Sequence, residues 1–283
     1  MSAESYIIDG ARSPIGLKNG EMVGVRSDDL MAMVIKGLMA RNSNIPPEAI
    51  EDVVVGCAFP EGPQGMLMAR AVTILSDLPV ETGGKVVNRF CGSSMDSVHQ
   101  LSQAILAGDI DAGIAAGVED MFGVPMGGFN PSFHPELYEK ELYIGMGDTA
   151  EILANELDIS RDDQESFSIK SHEKALAAIE GGGFQNEIIP VEINGITVKQ
   201  DEGPRVPNVE KIKSLDPAFD IEGSITAATS SPISVGAAAT IIMGKEKADE
   251  LALSVNFKIR SRAVAGVDWK RMGSGPLPAT EKA

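Results

Sequence analysis

Short apolar runs and amphipathic runs take turns along the first 116 residues, and this alternation restricts the fold more than any other feature. Residues 6–9, 53–56, 85–90 and 110–116 read as strands, the second of them the compact run Val53-Val54-Val55-Gly56. Between them lie helical patterns. Asp28 and Asp29 open the first, where carboxylates suit the positive end of a helix dipole. Its apolar residues, Leu30, Val34, Leu38 and Met31, Ile35, Met39, recur at helical spacing. Residues 66–75 and 94–106 read as the second and third helices, with Gly108 placed to end the third. A β-α-β-α-β-α-β order predicts a parallel or mixed sheet with helices on its faces.

From about residue 121 the texture changes. FGVPMGGFNPSFHPELY is rich in Gly, Pro and aromatics without a sustained period, the mark of a functional loop. Helices are expected near 149–157 and 162–179, the second capped by Ser160 with Asp163 as an acidic capping box. Asn194-Gly195, between EIIPVEI and ITVKQ, signals a tight hairpin. Core texture returns with SITAATSS, the small-residue strand AAATIIMG, a helix over 246–251 and a strand over 255–263. The expected layout is a core over 1–121, an inserted α+β block over 122–222, a return of the core over 223–266, and a linker over 267–283.

A net charge of −17 makes nucleic acid and anionic membranes poor partners. An anionic nucleotide ligand would need its own local Arg, Lys or backbone N–H donors. No apolar run approaches the ~18 residues of a membrane span, and MSAESYIIDG lacks the features of a signal or transit peptide, so a cytoplasmic location is expected. Cys57 and Cys91 suggest neither a disulfide framework nor a metal site, and His99, His134 and His172 have no ligand spacing. No metal is expected.

The sharpest local feature is VVNRFCGSSMDSVHQLSQAILAG. A β-branched strand runs into Cys91, then Gly-Ser-Ser, then an amphipathic helix. A sulfur at the positive end of a helix dipole favours the nucleophilic thiolate. Gly92 is expected to give the turn conformational freedom, and N–H groups at the helix start to stabilise an oxyanion. On spacing alone a buried structural cysteine fits Cys91 equally well. Cys57, inside VVVGCAF, reads as core packing.

These residues resemble a known family. VNRFCGSSMDSVHQLSQAI followed by GDIDAGIAAGVEDM is similar to the active-site signature and next strand of thiolases. GMGDTAE, ISRDDQESFSIKSHEKA, FQNEIIPV, LDPAF, SITAATSS, GAAATIIM and AVAGVDWKRMGSGPLPAT match further thiolase segments in order, so the resemblance covers essentially the whole chain. HPELY with SITAATSS is more similar to degradative 3-ketoacyl-CoA thiolases than to the biosynthetic branch. The resemblance implies a thiolase-like α/β fold, with a mixed five-stranded sheet, helices on both faces and an inserted α+β loop domain. It also implies that Cys91 takes an acyl group from acyl-CoA as a thioester. No covalently bound cofactor is implied; coenzyme A and acyl-CoA are substrates.

The inserted block corresponds to the region that holds coenzyme A. By resemblance Met146 lies beside the pantetheine and Arg205 at the nucleotide end. Leu215 and Phe219 are apolar contacts, and Ala227, Ala228 and Ser231 line the pantetheine tunnel. Read without the family, Met146 is core filler, Arg205 a solvated partner of Asp201 and Glu202, and Ser231 a turn residue. Two positions depart from the family pattern: Asp216 stands where arginine is usual, and Val235 where aspartate is usual.

The family's Asn-Glu-Ala-Phe, Gly-His-Pro and second Cys-x-Gly motifs do not occur in the 283 residues. The expectation is therefore the N-terminal half of a thiolase, inactive or nearly so without the other half. That half would be supplied by a separate polypeptide if the enzyme is split. A non-catalytic acyl-CoA-binding or assembly subunit is the alternative. Pairing through residues 85–90 across a two-fold axis, as a homodimer or homotetramer, is the implied assembly.

Overall fold

The computed structural model describes residues 4–255 and 257–283. They form two compact units, Met1–Asn130 with Phe184–Gly203 and Ile233–Arg260, and Pro131–Gly183 with Pro204–Pro232 and Ser261–Ala283.

The first unit is built on a mixed sheet. Its strands are β1 (Ser5–Arg12), β2 (Gly16–Leu17), β3 (Asp52–Gly56), β4 (Gly83–Val87), β5 (Ala112–Asp120), β6 (Val191–Ile193), β7 (Ile196–Val198), β8 (Ser234–Gly244) and β9 (Phe257–Lys258). The order is β4-β3-β5-β8-β1-β9, with β2 on β8 and β6–β7 a separate hairpin. β3 runs parallel to β4 and β5, and β8 antiparallel to β5 and β1. Five longer strands, β4 to β1 in that order, are the expected mixed five-stranded core. The strand predicted over 255–263 is in the sheet only at Phe257–Lys258, with residue 256 outside the described residues.

The uninterrupted apolar runs follow from burial on both faces. Val53 and Val55 join one cluster with helices α1 (Ser27–Arg41) and α2 (Met68–Leu75), while Val54 joins another with Leu101 and Ile105 of α3 (Ser93–Ala107). β8 divides likewise: Ala239, Ile241 and Met243 face the first cluster and Ile242 the second. Gly108 ends α3 at φ +80, as its position predicts.

The hairpin turns on Asn194 and Gly195, both at positive φ (52° and 80°), the geometry of a type I′ turn. Its Val191, Ile193 and Val198 are buried in the core of the first unit. Segment 184–203 therefore belongs to that unit and not to the inserted block. The Arg12 guanidinium holds it there, bonded twice to Asp201 at 2.7 and 2.9 Å and once to Glu187 at 2.7 Å.

The second unit is helical: α4 (Pro135–Glu139), α5 (Met146–Glu156), α6 (Arg161–Glu180) and α7 (Val209–Lys213). The Ser160 hydroxyl accepts from the Asp163 N–H, the predicted cap of α6. This unit also keeps two segments assigned above to the returning core and the linker. Glu151 accepts the Ser224 and Ile225 N–H groups. The Trp269 indole donates to the Lys140 carbonyl at 3.0 Å, and Arg271 pairs with Glu156.

Candidate active site

The turn that carries Cys91 follows β4. The strand stops at Val87, short of the predicted Phe90, because the Asn88 side chain takes over. Its Oδ1 accepts from the Phe90 N–H at 2.8 Å, and Phe90 turns to φ +45, where the ladder cannot continue. Cys91 comes next, exposed, one residue before the N-cap Gly92 of α3. Exposure removes the buried-cysteine reading.

Two details of the turn differ from expectation. The positive φ belongs to Phe90; Gly92 sits at φ −87. The N–H groups of Gly92 and Ser93 are already used, donating to the carbonyls of Arg89 (3.0 Å) and Phe90 (2.9 Å). Ser93 completes the lock: its hydroxyl accepts from the Arg89 N–H at 2.9 Å and donates to the Phe90 carbonyl at 2.5 Å. Arg89 also pairs with Asp96, in the first turn of α3, at 3.2 Å.

Beneath the turn lies a floor of two glycines. Gly56 of β3 and Gly117 of β5 are register partners. A Cβ on Gly56 would lie 2.4 Å from the backbone of Ser93 and Ser94, and one on Gly117 would lie 1.8 Å from the Ser94 hydroxyl. Only bare backbone lets the start of α3 approach the sheet this closely. The sequence reading did not find this floor. Its available signal was a glycine late in each of two strongly apolar strands.

Cys57 is the opposite case. It is buried beside Glu119, and burial, reinforced by that carboxylate, pushes its thiol up to about 12. At neutral pH it is an inert thiol.

The residues assigned to coenzyme A all lie in the second unit. Met146 opens α5 and is half exposed, as is Phe219. The Phe219 ring lies against Gly147, where a Cβ would meet ring carbons at 2.2 Å, so these two candidates are neighbours. Leu215 is half-buried, its carbonyl accepting from Arg161 at 2.5 Å, and Arg161 is held by the buried Glu165 at 2.7 Å. Ala227 and Ser231 are exposed, and the Ala228 carbonyl accepts from the Ser168 hydroxyl.

Arg205 is exposed beside His172, whose Nδ1 accepts the Arg205 N–H at 3.4 Å. Partial burial, and then the Arg205 charge, hold His172 below its ordinary range. Glu151, Arg161, Glu165, Ser168 and His172 thus hold the segments assigned to coenzyme A; of these, only His172 was named from sequence, and only as lacking ligand spacing. Of the two departures from the family pattern, Asp216 is exposed, whereas Val235 is buried at the start of β8.

A sequence profile described as the N-terminal domain of thiolase matches residues 5–246. The chain belongs to the thiolase family. The 3-ketoacyl-CoA thiolase of Shewanella baltica is 42% identical over 290 residues, covering 99% of this chain and 75% of that protein. Those of Bacillus subtilis (40% identical, covering 99% of this chain and 76% of that protein) and Vibrio vulnificus (41%, 98% and 74%) are similar over the same extent. The thiolase assignment makes acyl transfer the chemistry of this fold, and the matched region includes the Cys91 turn and every coenzyme A candidate.

Proposed function

We propose that this thiolase chain accepts the acyl group of a 3-ketoacyl-CoA on Cys91. The Cys91 sulfur attacks the ketone carbon, the bond between that carbon and the α-carbon breaks, and acetyl-CoA leaves after its α-carbon gains a proton. The acyl group remains on Cys91 as a thioester until the thiol of a second coenzyme A attacks it, releasing a shortened acyl-CoA and free Cys91. In the reverse direction two acyl-CoA molecules condense. Exchange of one thioester for another is nearly isoenergetic, so the acyl group stays activated throughout.

The observation carrying this reading is the contrast between two cysteines, one exposed at the start of α3 and one buried with its thiol pushed up to about 12. Met146, Arg205, Leu215, Phe219, Ala227, Ala228 and Ser231 are assigned to coenzyme A. Small side chains admit the narrow pantetheine arm, and Arg205 offsets an acidic protein near phosphate. β4 lies at the end of the sheet order and offers its edge for homodimer pairing. Intact-mass analysis after incubation with acetyl-CoA tests the reading. An acetyl adduct mapped to Cys91 and missing from Cys91→Ala supports it; an adduct that survives that substitution overturns it.

A further inference from the structure

The strand that brings Gly117 to the floor of the nucleophile turn carries, near its end, an acid with no part in the chemistry above. Glu119, near the end of β5, is largely withdrawn from solvent and faces a cluster of donors. One carboxylate oxygen accepts the Ala58 N–H at 2.7 Å; the other accepts the Phe59 N–H at 3.3 Å and the Gln64 amide at 2.8 Å. The Cys57 thiol points at the same oxygen from 3.7 Å.

Gln64 is fully buried, and its orientation is set from the other side. Its carbonyl accepts from the Asp120 N–H at 2.6 Å and the Ser27 hydroxyl at 3.2 Å. Its NH2 group therefore faces Glu119, and also donates to the Phe59 carbonyl at 2.8 Å. Every group around Glu119 is a donor, so only a side chain that accepts with both oxygens satisfies the site.

The segment held in this way, residues 57–59, is what the nucleophile turn leans on. The Cys57 N–H donates to the Val87 carbonyl at 3.1 Å. The Asn88 amide donates to the Ala58 carbonyl at 2.8 Å while its Oδ1 holds the Phe90 N–H. The Phe59 and Phe90 rings meet with centroids 5.9 Å apart. Phe90, at φ +45, occupies a conformation that costs a non-glycine residue free energy and persists only when its surroundings over-determine it. Two of those surroundings, Asn88 and Phe59, are fixed through Glu119.

We propose that Glu119 is a positioning residue for the thiolase nucleophile. It fixes the 57–59 segment so that Asn88 and Phe90 set the place of Cys91, and it does so without touching substrate. The inference rests on Cys91 being the acyl acceptor.

Glu119→Gln tests it with almost no change of shape. Whichever way the new amide turns, its NH2 group meets the Ala58 N–H or the pair from Phe59 and Gln64. Two rates are compared per folded molecule, below the unfolding transition: acetyl transfer from acetyl-CoA to Cys91, and alkylation of Cys91 by iodoacetamide. An exposed thiol stays open to the small reagent wherever the turn drifts, whereas acyl transfer needs the sulfur in one place; a displacement near 1 Å is worth about 100-fold. The expected result is at least a tenfold loss of acetyl transfer with alkylation within about twofold of the unsubstituted chain.

Asn88→Ala cuts the same chain of contacts beyond Glu119 and shows the same split, which keeps the test open if Glu119→Gln does not fold. Unchanged acetyl transfer in both variants, or equal loss of both rates, overturns the positioning role. If the unsubstituted chain takes no acetyl group on Cys91, the acyl-acceptor reading falls, and the positioning role falls with it.

Discussion

The turn proposed to carry the nucleophile and the segments assigned to coenzyme A are held by opposite means. In the first unit the start of α3 rests on bare backbone, Gly56 and Gly117, and its place is set by how close two chains can come. In the second unit the segments assigned to coenzyme A are partly exposed and tied by a few buried or half-buried groups. Glu151 holds Ser224 and Ile225, Arg161 with Glu165 holds Leu215, and Ser168 holds Ala228. A contact set by volume tolerates no added atom but is indifferent to charge. A contact set by hydrogen bonds tolerates some change of size but not the loss of an acceptor. Covalent chemistry needs a fixed sulfur, and a long flexible ligand is served by loops that keep their line without being packed solid.

Cysteine reactivity gives the widest separation between the proposed nucleophile and its surroundings. Iodoacetamide at pH 8 is expected to label Cys91 at least about 100 times faster than Cys57 in the folded chain, with the difference collapsing in denaturant. Equal labelling of the folded protein would remove the basis for choosing between them. Cys57 also gives a pH signature. Its folded pKa is raised from an ordinary value near 9 to about 12, so the folded state holds the proton more tightly than the unfolded chain. The associated stability is fully present below about pH 9 and is lost as pH rises toward 12. Cys57→Ala should flatten that alkaline decline in melting temperature, and an unchanged decline would mean that another group causes it.

Gly56→Ala addresses the volume-set contact directly. The added carbon would sit 2.4 Å from backbone atoms of Ser93 and Ser94, which cannot move aside as a flexible side chain can. We expect a loss of about 3 kcal/mol in chemical denaturation, at the upper end of ordinary overpacking, together with slowed acylation of Cys91. Stability within about 0.5 kcal/mol of the unsubstituted chain would show that α3 can lift from the sheet. Glu151→Ala is the matching test in the second unit. It leaves the Ser224 and Ile225 N–H groups without their acceptor, at about 1–3 kcal/mol for the unsatisfied groups. Affinity for coenzyme A should fall about tenfold as segment 224–231 loosens, a drop equivalent to about 1.4 kcal/mol. Because this contact depends on an acceptor, Glu151→Gln should recover part of both losses, and a Gln variant as damaged as Ala would count against the distinction.

The main lines of this architecture are legible in the sequence because they are written in local periodicity. Val53-Val54-Val55 reads as a strand buried on both faces, Asn194-Gly195 as a turn that only positive φ satisfies, and Ser160 with Asp163 as a helix start. What escaped is set by contacts far apart in the chain. Phe90 carries no residue-type signal for φ +45, since Asn88 and Ser93 impose it. The pairing of Gly56 with Gly117 exists only once β3 and β5 are in register. Segment 184–203 looked like part of the insertion by position, yet its alternating Val191 and Ile193 fill the first unit's core. Glu151 and Glu119 read as ordinary acids, because nothing in a single sequence tells which backbone N–H groups a carboxylate will find.

Arg205→Ala is expected to have the smallest effect, and it tests whether the coenzyme A segments have a direction. Arg205 is exposed on a chain of net charge −17, so its attraction for phosphate is local and screened. An exposed ion pair is worth about 0.2–1 kcal/mol. Calorimetry should therefore show affinity for coenzyme A reduced by up to about fivefold at low salt, with the difference shrinking as salt is raised. The substitution leaves the Arg205 N–H and its His172 acceptor in place. Pantetheine, which lacks the nucleotide, sharpens the result. Its binding should be indifferent to Arg205→Ala but weakened by Phe219→Ala, because the Phe219 ring against Gly147 belongs to the apolar stretch near Met146. If pantetheine and coenzyme A lose equally on Arg205→Ala, Arg205 is not at the nucleotide end, and the orientation proposed for the ligand along the second unit is wrong.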